Sequence, residues 1–372
     1  MFENNKTIGS YHSDFEKEKG LIEVENVKCS YPPFDQIVLD DLSLVINSGE
    51  FVTILGHSGS GKTTLLRSLA GFEIIQEGYI RINGMLASTS WTHLPPEKRK
   101  IGFIFQDYAL FPHLTVRQNI SFGIVGDKND KKKRENYILD LIGLQKQDNR
   151  YPHQLSGGQQ QRVALGRSLA PNPVAILMDE PFSNLDKQLR SSLSREVRDI
   201  IKSAGITAIL VTHDREEAMI LSDRVGVLVD GKLIQIDAPE KLYRFPVSLE
   251  VSRMISETRL LNGKVQNEYI DTEIGKISIE KIHSSGSIFN NGSSITASIR
   301  PEDLTIKKSD SGEHGIIIRK EFYGNNLIYC VELKSGTFLH VDNFNDPDSF
   351  KEGEKVRLDF SMMNPISVFP NF

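Results

Sequence analysis

The sequence contains few cysteines, no long apolar run and no excess of basic residues. Its 372 residues include two cysteines, Cys29 and Cys330, which lie too far apart in sequence for a disulfide framework or a CxxC metal motif. This cysteine usage suits a reducing compartment. No segment approaches the roughly 18 consecutive apolar residues that a membrane-spanning helix needs. The net charge of −5 argues against a nucleic-acid-binding protein, which normally carries a basic stripe.

The first 20 residues are polar and acidic and have little apolar content. Such a segment cannot bury enough apolar surface to fold by itself, and it lacks the apolar centre of a signal peptide. We therefore expect residues 1–20 to form a flexible tail and the chain to be cytoplasmic.

The stretch from residue 21 to 250 alternates apolar runs with amphipathic segments. This alternation predicts a largely parallel sheet that is covered by helices on both faces. Residues 107–155 are predicted to be mainly helical and to form an insertion between strands. The dipeptide Asp230-Gly231 predicts the turn of a β-hairpin. The predicted buried strands are 51–55, 101–105, 174–179 and 208–212.

The pattern changes after about residue 250. Short segments with alternating apolar residues follow one another, and clusters of Gly, Asn and Ser separate them, as at Ser335-Gly336. This pattern predicts a small all-β barrel over residues 251–372. Three of its predicted strands are 295–300, 327–333 and 355–360.

Residues 56–64 read GHSGSGKTT, which matches the pattern G-x-x-x-x-G-K-[ST], and they directly follow the apolar run 51–55. The backbone N–H groups of such a loop can face phosphate oxygens at the start of a helix. Lys62 would meet the β and γ phosphates, and the Thr63 hydroxyl would ligate Mg²⁺. A glycine-rich surface turn is the alternative, but the preceding apolar run disfavours it. The predicted phosphate-binding residues are Gly56, Ser58, Gly59, Ser60, Gly61, Lys62, Thr63 and Thr64.

Asp179 and Glu180 end the apolar run 174–179. An aspartate at this position can hold the Mg²⁺ shell, and the following glutamate can orient and activate the attacking water. Paired acids at a strand end are often only a solvated edge. The glycine loop upstream favours the functional interpretation.

Residues 155–162 read LSGGQQQR and lie between the glycine loop and ILMDEP (176–181). The three motifs in this order resemble the nucleotide-binding subunit of an ATP-binding-cassette (ABC) transporter. Residues 298–304, SIRPEDL, resemble the accessory C-terminal barrel of importer ATPases. The resemblance implies an α/β P-loop NTPase fold, the ABC ATPase with a helical subdomain, over 21–250. A small all-β OB-like (TOBE) domain, regulatory in character, would follow over 251–372.

The LSGGQ signature is expected to precede a helix and to form a second phosphate-binding surface. In the family this surface closes over the ATP that the glycine loop of the other subunit holds. The resemblance therefore implies a homodimer that encloses two ATP molecules and opens after hydrolysis. The implied signature residues are Ser156, Gly157, Gly158 and Gln159.

The resemblance assigns roles to residues outside these motifs. His213 matches the switch histidine, which contacts the γ-phosphate and helps position the water. Gln106 matches the glutamine that reaches the Mg²⁺ and the water. Asp186 belongs to a segment resembling the dimer-contact loop, in which Asn184 stands where the family usually has a small residue. Tyr31 lies where the family places a ring that stacks on adenine, although its local spacing varies.

The segment after Gln106 carries a row of apolar residues, Tyr108, Leu110 and Phe111, which look exposed. They can be core residues of the helical insertion. The resemblance implies instead a socket that receives a coupling helix of the membrane subunit.

The resemblance implies an ATPase, with ATP and Mg²⁺ as cofactors, that drives import at the cytoplasmic face of the inner membrane. Its partners would be integral-membrane permease subunits and, indirectly, an extracytoplasmic solute-binding protein, with no nucleic acid. The segment 92–116 and the insertion before it look most like the ferric-iron subgroup. Polyamine, sugar, sulfate and phosphonate import are alternatives. A soluble, non-transport ABC ATPase is the alternative from another class, which the single signature disfavours.

Overall fold

The computed structural model describes residues 20–31, 36–284, 289–308, 314–324, 327–343, 350–361 and 364–371. The predicted tail, apart from Gly20, lies outside these residues. The strands of the N-terminal part are β1 (Ile22–Tyr31), β2 (Gln36–Ile46), β3 (Phe51–Leu55), β4 (Glu77–Ile82), β5 (Met85–Thr89), β6 (Ile101–Ile104), β7 (Ala175–Asp179), β8 (Thr207–Thr212), β9 (Arg224–Val229) and β10 (Lys232–Asp237). The helices are α1 (Lys62–Ala70), α2 (Val116–Ser121), α3 (Lys128–Leu141), α4 (Gly157–Leu169), α5 (Lys187–Ser203), α6 (Arg215–Leu221), α7 (Pro239–Arg244) and α8 (Leu249–Ile255).

The central sheet has the strand order β10-β9-β3-β8-β7-β6, and all its pairs are parallel except β10-β9. Every residue of β3 and β8 is buried, as expected for parallel strands that are covered on both faces. The four predicted strands and the hairpin at Asp230-Gly231 are confirmed. The predicted α/β fold is therefore confirmed as well.

A second, antiparallel sheet has the order β2-β1-β4-β5. Its apolar face and the central sheet enclose α1, so that Leu65 and Leu66 pack among residues of both sheets, including Ile80 and Ile209. This arrangement fixes the start of α1 between two rigid layers.

The insertion 107–155 contains less regular helix than the sequence indicates. It consists of α2 and α3, short 3₁₀ turns at Pro152–Gln154 and Gln145–Gln147, and connecting turns. The two helices pack on α4 so closely that a Cβ at Gly166 would lie 2.9 Å from Cδ1 of Ile142. The lower helix content follows from Pro152 and from the glycines of the segment, which favour turns.

The C-terminal part is all-β in the described ranges and has its own apolar core, which includes Ile317, Tyr329 and Val356. One sheet has the order β13-β12-β11-β15-β21-β14 and the other β16-β20-β17-β18-β19. The strands are β11 (Arg259–Gln266), β12 (Tyr269–Thr272), β13 (Gly275–Ser278), β14 (Ile282–His283), β15 (Ser294–Ile299), β16 (Leu304–Lys308), β17 (Gly315–Phe322), β18 (Leu327–Leu333), β19 (Phe338–Asn343), β20 (Lys355–Phe360) and β21 (Ile366–Pro370).

The SIRPEDL segment joins the barrel to the helices α7 and α8. Ser298 and Ser252 share a hydrogen bond of 2.8 Å between their hydroxyls. The guanidinium of Arg300, only 1% exposed, lies 4.3 Å from the centroid of the Tyr243 ring. The Tyr243 hydroxyl donates to Glu302. The motif is thus part of the contact between the two parts of the chain.

Candidate active site

The glycine loop connects the buried end of β3 to α1, and Gly61 is the residue before the helix. Gly61 has φ = +101°, and a Cβ there would lie 2.6 Å from the carbonyl oxygen of Val38. Both facts restrict the position to glycine. The N–H of Gly231, in the β9–β10 turn, donates to the Ser60 carbonyl at 3.1 Å. The hairpin therefore supports the loop from outside.

Lys62 lies inside this loop and is only 5% exposed. Its Nζ donates to the carbonyls of Gly56 at 3.0 Å and of His57 at 2.9 Å. Burial lowers the pKa of Lys62, and the nearby carboxylates of Glu180 and Asp179 oppose this effect. A phosphate would offer the ammonium charged oxygens in place of neutral carbonyls, which makes stronger hydrogen bonds.

The structure brings Thr63 and Asp179 together, as the sequence predicts for a Mg²⁺ site. The Thr63 hydroxyl donates to Oδ1 of Asp179 at 3.1 Å. Burial raises the pKa of Asp179, and the hydrogen bond from Thr63 opposes that rise. A hydroxyl and a carboxylate are the hard oxygen ligands that Mg²⁺ prefers, so the pair fits this ion. Among the described residues, the exposed Gln106 side chain makes no hydrogen bond to either one.

Glu180 and His213 face each other at the ends of β7 and β8. His213 Nδ1 lies 3.0 Å from Oε2 of Glu180. Glu180 has φ = +44°, a backbone conformation that non-glycine residues rarely adopt. Its N–H donates to the carbonyl of Val211 at 3.0 Å, which holds this conformation. Strained backbone of this kind clusters at functional sites, and here it turns the carboxylate toward His213.

The signature lies at the start of α4, with Ser156 as the N-cap. The Ser156 hydroxyl accepts from the N–H of Gln159, and the Gln159 side chain accepts from the N–H of Ser156 at 3.0 Å. Gly157 and Gly158 form the first turn of the helix, whereas the sequence predicts that they lie before it. N–H groups in the first turn of a helix have no intrahelical acceptor, so these two can donate to a phosphate.

Tyr31 ends β1, and its hydroxyl lies 3.4 Å from Oγ1 of Thr64. The residue is 37% exposed. Burial raises the pKa of its hydroxyl, so the ring stays neutral. The structure thus places an accessible aromatic ring beside the start of α1, and the adenine contact of this ring stays a prediction.

Asp186 caps α5 by accepting from the N–H of Leu189 at 3.0 Å. In the same loop, Nδ2 of Asn184 donates to the carbonyl of Gln106 at 3.3 Å, a link that the sequence did not predict. Arg190, in the first turn of α5, donates to the carbonyl of Leu185 in the same loop. Its signal in the sequence is weak, because nothing distinguishes it from the other arginines of an amphipathic helix.

The expectation that Tyr108 is exposed is wrong. It is 7% exposed and belongs to the core around α2 and α4, because its backbone has φ = +61° and turns the ring inward. Leu110 and Phe111 are half-buried, and Leu110 packs against the same core. The exposed rings near this segment are Phe105 and Phe122. Phe105 contacts Phe103 at a centroid distance of 4.4 Å, and Phe111 contacts Phe122 at 4.5 Å.

Across the described ranges, every helix is either too short or too polar to cross a bilayer.

Comparisons with known proteins identify the families to which the chain is similar. A model of the ABC transporter family matches residues 39–183, and a model of the TOBE domain matches residues 297–364. The chain is 39% identical over 345 residues to the Fe(3+) ions import ATP-binding protein FbpC of Fusobacterium nucleatum, covering 91% of this chain and 90% of that protein. It is also 39% identical over 354 residues to the putrescine transport ATP-binding protein PotG of Escherichia coli, covering 91% and 92%.

A solved structure extends the comparison to the fold. The dimeric, post-hydrolysis form of the ATP-binding cassette MJ0796, bound to ADP and Pi, matches with a TM-score of 0.50 and 33% identity. The match covers 59% of this chain and 98% of that chain. The 39% identity to the ATP-binding proteins FbpC and PotG over 91% of this chain, together with the two family matches, shows that the chain belongs to the ATP-binding subunits of ABC transporters.

Proposed function

We propose that the chain hydrolyses ATP as one of two identical copies and thereby drives ferric-iron import through a membrane permease, at the cytoplasmic face of the membrane. The observation that supports this most directly is the convergence of Lys62, the Thr63–Asp179 pair and the Glu180–His213 pair at adjacent ends of β3, β7 and β8. In parallel sheets, ligands bind at these carboxyl ends of the strands.

Each residue has a distinct task in this proposal. The loop and Lys62 bind the phosphates of ATP, and Tyr31 stacks on the adenine. Thr63 and Asp179, with Gln106, would hold Mg²⁺, which would neutralise charge on the phosphates. Glu180 orients the water and accepts its proton. His213 keeps the carboxylate in place through the 3.0 Å contact.

The second copy completes the site in this proposal. Ser156 is exposed, and the N–H groups in the first turn of α4 have no intrahelical acceptor, which suits a bound phosphate. They would contact the ATP bound to the partner subunit, and Asp186 would lie in the dimer contact. The relative MJ0796 was solved as a dimer, which supports this arrangement.

The exposed aromatic rings around Gln106 fit a contact with the permease. Phe72 is 43% exposed and Phe105 40%, and both rings pack on Phe103. Exposed apolar clusters of this kind mark protein interfaces. We propose that they receive a helix of the permease, while a solute-binding protein acts indirectly from the other side of the membrane.

Ferric iron as the cargo rests on the segment 84–116 and on the similarity to FbpC. The equal 39% identity to PotG makes a polyamine the second candidate. An ATP-binding subunit need not touch its cargo, so the two candidates are separated by uptake and not by the ATP site.

The test compares the wild type with Glu180→Gln. ATP binding should persist, while turnover falls by about 10²–10⁴-fold, the range for a positioned general base. Release of phosphate by the purified protein and binding of a labelled ATP analogue measure the two effects. Hydrolysis near the wild-type rate would remove Glu180 from its proposed role.

The cargo is tested with the same variant in the native host. Uptake of radiolabelled ferric iron and of spermidine is measured in parallel. Loss of iron uptake alone supports ferric iron as the cargo. Loss of spermidine uptake alone supports a polyamine as the cargo and leaves the proposed ATPase mechanism unchanged. Loss of neither contradicts both candidates.

A further inference from the structure

Arg190 contacts two functional segments that are far apart in sequence. Its Nη2 donates to the carbonyl of Leu185 at 2.9 Å, within the loop that contains Asp186. Its Nη1 donates to Oδ2 of Asp214 at 2.9 Å, in the turn that carries His213. One planar guanidinium therefore connects the two segments.

The turn around His213 is held on both sides. The N–H of Asp214 donates to Oγ1 of Thr212 at 3.0 Å, and the Thr212 hydroxyl donates to Oε2 of Glu217 at 2.7 Å. Oδ1 of Asp214 also accepts from the N–H of Glu217 at 3.2 Å. A displacement of Asp214 would therefore move the backbone on which His213 stands.

We infer that Arg190 is a positioning residue for ATP hydrolysis, which couples the loop of residues 183–186 to the orientation of His213 toward Glu180. A second copy that contacts this loop would displace the Leu185 carbonyl. The Arg190 guanidinium would pass this displacement to Asp214 and to the adjacent His213. The inference rests on the proposed function, because it assumes that His213 and Glu180 act in hydrolysis and that the loop lies in the dimer contact.

An ordinary ion pair between α5 and α6 is the simpler explanation. Surface ion pairs contribute little. However, α5 and α6 already share such a pair, Lys187 with Glu216 at 3.1 Å, whose side chains are 83% and 57% exposed. Arg190 differs because its side chain is 24% exposed and because it also binds a loop carbonyl. Lys187 is therefore a matched control, since it joins the same helices without these two contacts.

The test measures ATP turnover by the full chain for Arg190→Gln, Asp214→Asn, the double variant and Lys187→Gln. Loss of a charge-assisted hydrogen bond predicts that kcat falls about tenfold for each of the first two, with KM for ATP within about twofold of the wild type. The double variant should be no slower than the slower single variant, because both remove one link. Lys187→Gln should keep the wild-type kcat.

Three results would overturn the inference: a wild-type kcat for Arg190→Gln, losses that multiply in the double variant, or an equal loss for Lys187→Gln. Thermal unfolding of each variant separates coupling from lost stability. If Arg190→Gln fails to fold, Arg190→Lys is measured in its place. Lysine keeps the positive charge but lacks the planar guanidinium that donates to two partners. Arg190→Lys should then show the same loss of kcat at a wild-type melting temperature, and a wild-type kcat would refute the link.

His213→Ala is measured in parallel. If His213→Ala hydrolyses ATP at the wild-type rate, the proposed role of His213 fails, and the inference fails with it. If His213→Ala is inactive while Arg190→Gln is normal, only the inference about Arg190 is wrong.

Discussion

Replacing Glu217 by glutamine should stabilise the protein at alkaline pH and leave it nearly unchanged at acid pH. Glu217 is 6% exposed, and burial raises the pKa of its carboxyl from 4.5 to about 7, against the hydrogen bond from Thr212 that lowers it. The unfolded chain ionises this carboxyl near its ordinary pKa. Above that pH the folded state holds a proton that the unfolded state has lost, so folding stability falls as the pH rises.

The size of this effect follows from the pKa. The rise from 4.5 to about 7 corresponds to about 3 kcal/mol, at 1.36 kcal/mol per pH unit. The contribution is fully present below pH 4.5 and is lost by the time the pH passes about 7. Glutamine keeps an acceptor for Thr212 and has no charge to desolvate. Glu217→Gln should therefore gain up to about 3 kcal/mol over the wild type at pH 8, and little at pH 4.5.

Urea unfolding of both proteins, at pH 4.5 and pH 8, measures the difference. Circular dichroism at 222 nm follows unfolding of the N-terminal part that contains Glu217, because the α-helices of the described residues all lie between residues 62 and 255. Other groups with a raised pKa, such as Asp303 at about 6, occur in both proteins and cancel. A difference between variant and wild type that is equal at the two pH values, or larger at pH 4.5, would refute the reasoning.

Two further predictions concern the glycine loop. Lys62→Ala should weaken ATP binding itself, in contrast to Glu180→Gln, because the Lys62 ammonium is buried in the loop. Equilibrium binding of a labelled ATP analogue measures this effect, and wild-type affinity would contradict the prediction. Gly61→Ala should lower the free energy of unfolding by about 1–3 kcal/mol and abolish nucleotide binding, since φ is +101° and the new Cβ would lie 2.6 Å from the Val38 carbonyl. Gly49→Ala, with φ = +74° and an open surrounding, is the matched control and should keep nucleotide binding.

The sequence predicted those parts of the site that depend on local order along the chain. The glycine loop after an apolar strand fixes Lys62 and Thr63, and the acidic pair at the end of another strand fixes Asp179. Because parallel strands place their carboxyl ends at one edge, the Thr63–Asp179 contact follows from topology. These predictions needed only periodicity and motif spacing.

Contacts between loops were not predictable in this way. Nothing in the local pattern shows that Asn184 reaches the carbonyl of Gln106, or that Arg190 reaches Asp214, because these pairs are fixed by how the helices pack. The burial of Tyr108 was missed for a related reason. Its apolar ring fits either a surface socket or a core, and the positive φ that selects the core is not visible in sequence.

The polar side chains at the glycine loop and at the ends of β7 and β8 already have partners within the chain. Lys62 binds two carbonyls, Thr63 binds Asp179, and Glu180 faces His213. Nucleotide binding must therefore exchange these contacts for others, and the net gain from each exchange is about 1 kcal/mol and not the full strength of a hydrogen bond. The largest gain is expected at Lys62, where neutral carbonyls give way to charged phosphate oxygens. The affinity for ATP should thus depend more on Lys62 than on Thr63 or Glu180. Thr63 and Glu180 should mainly determine the rate of hydrolysis.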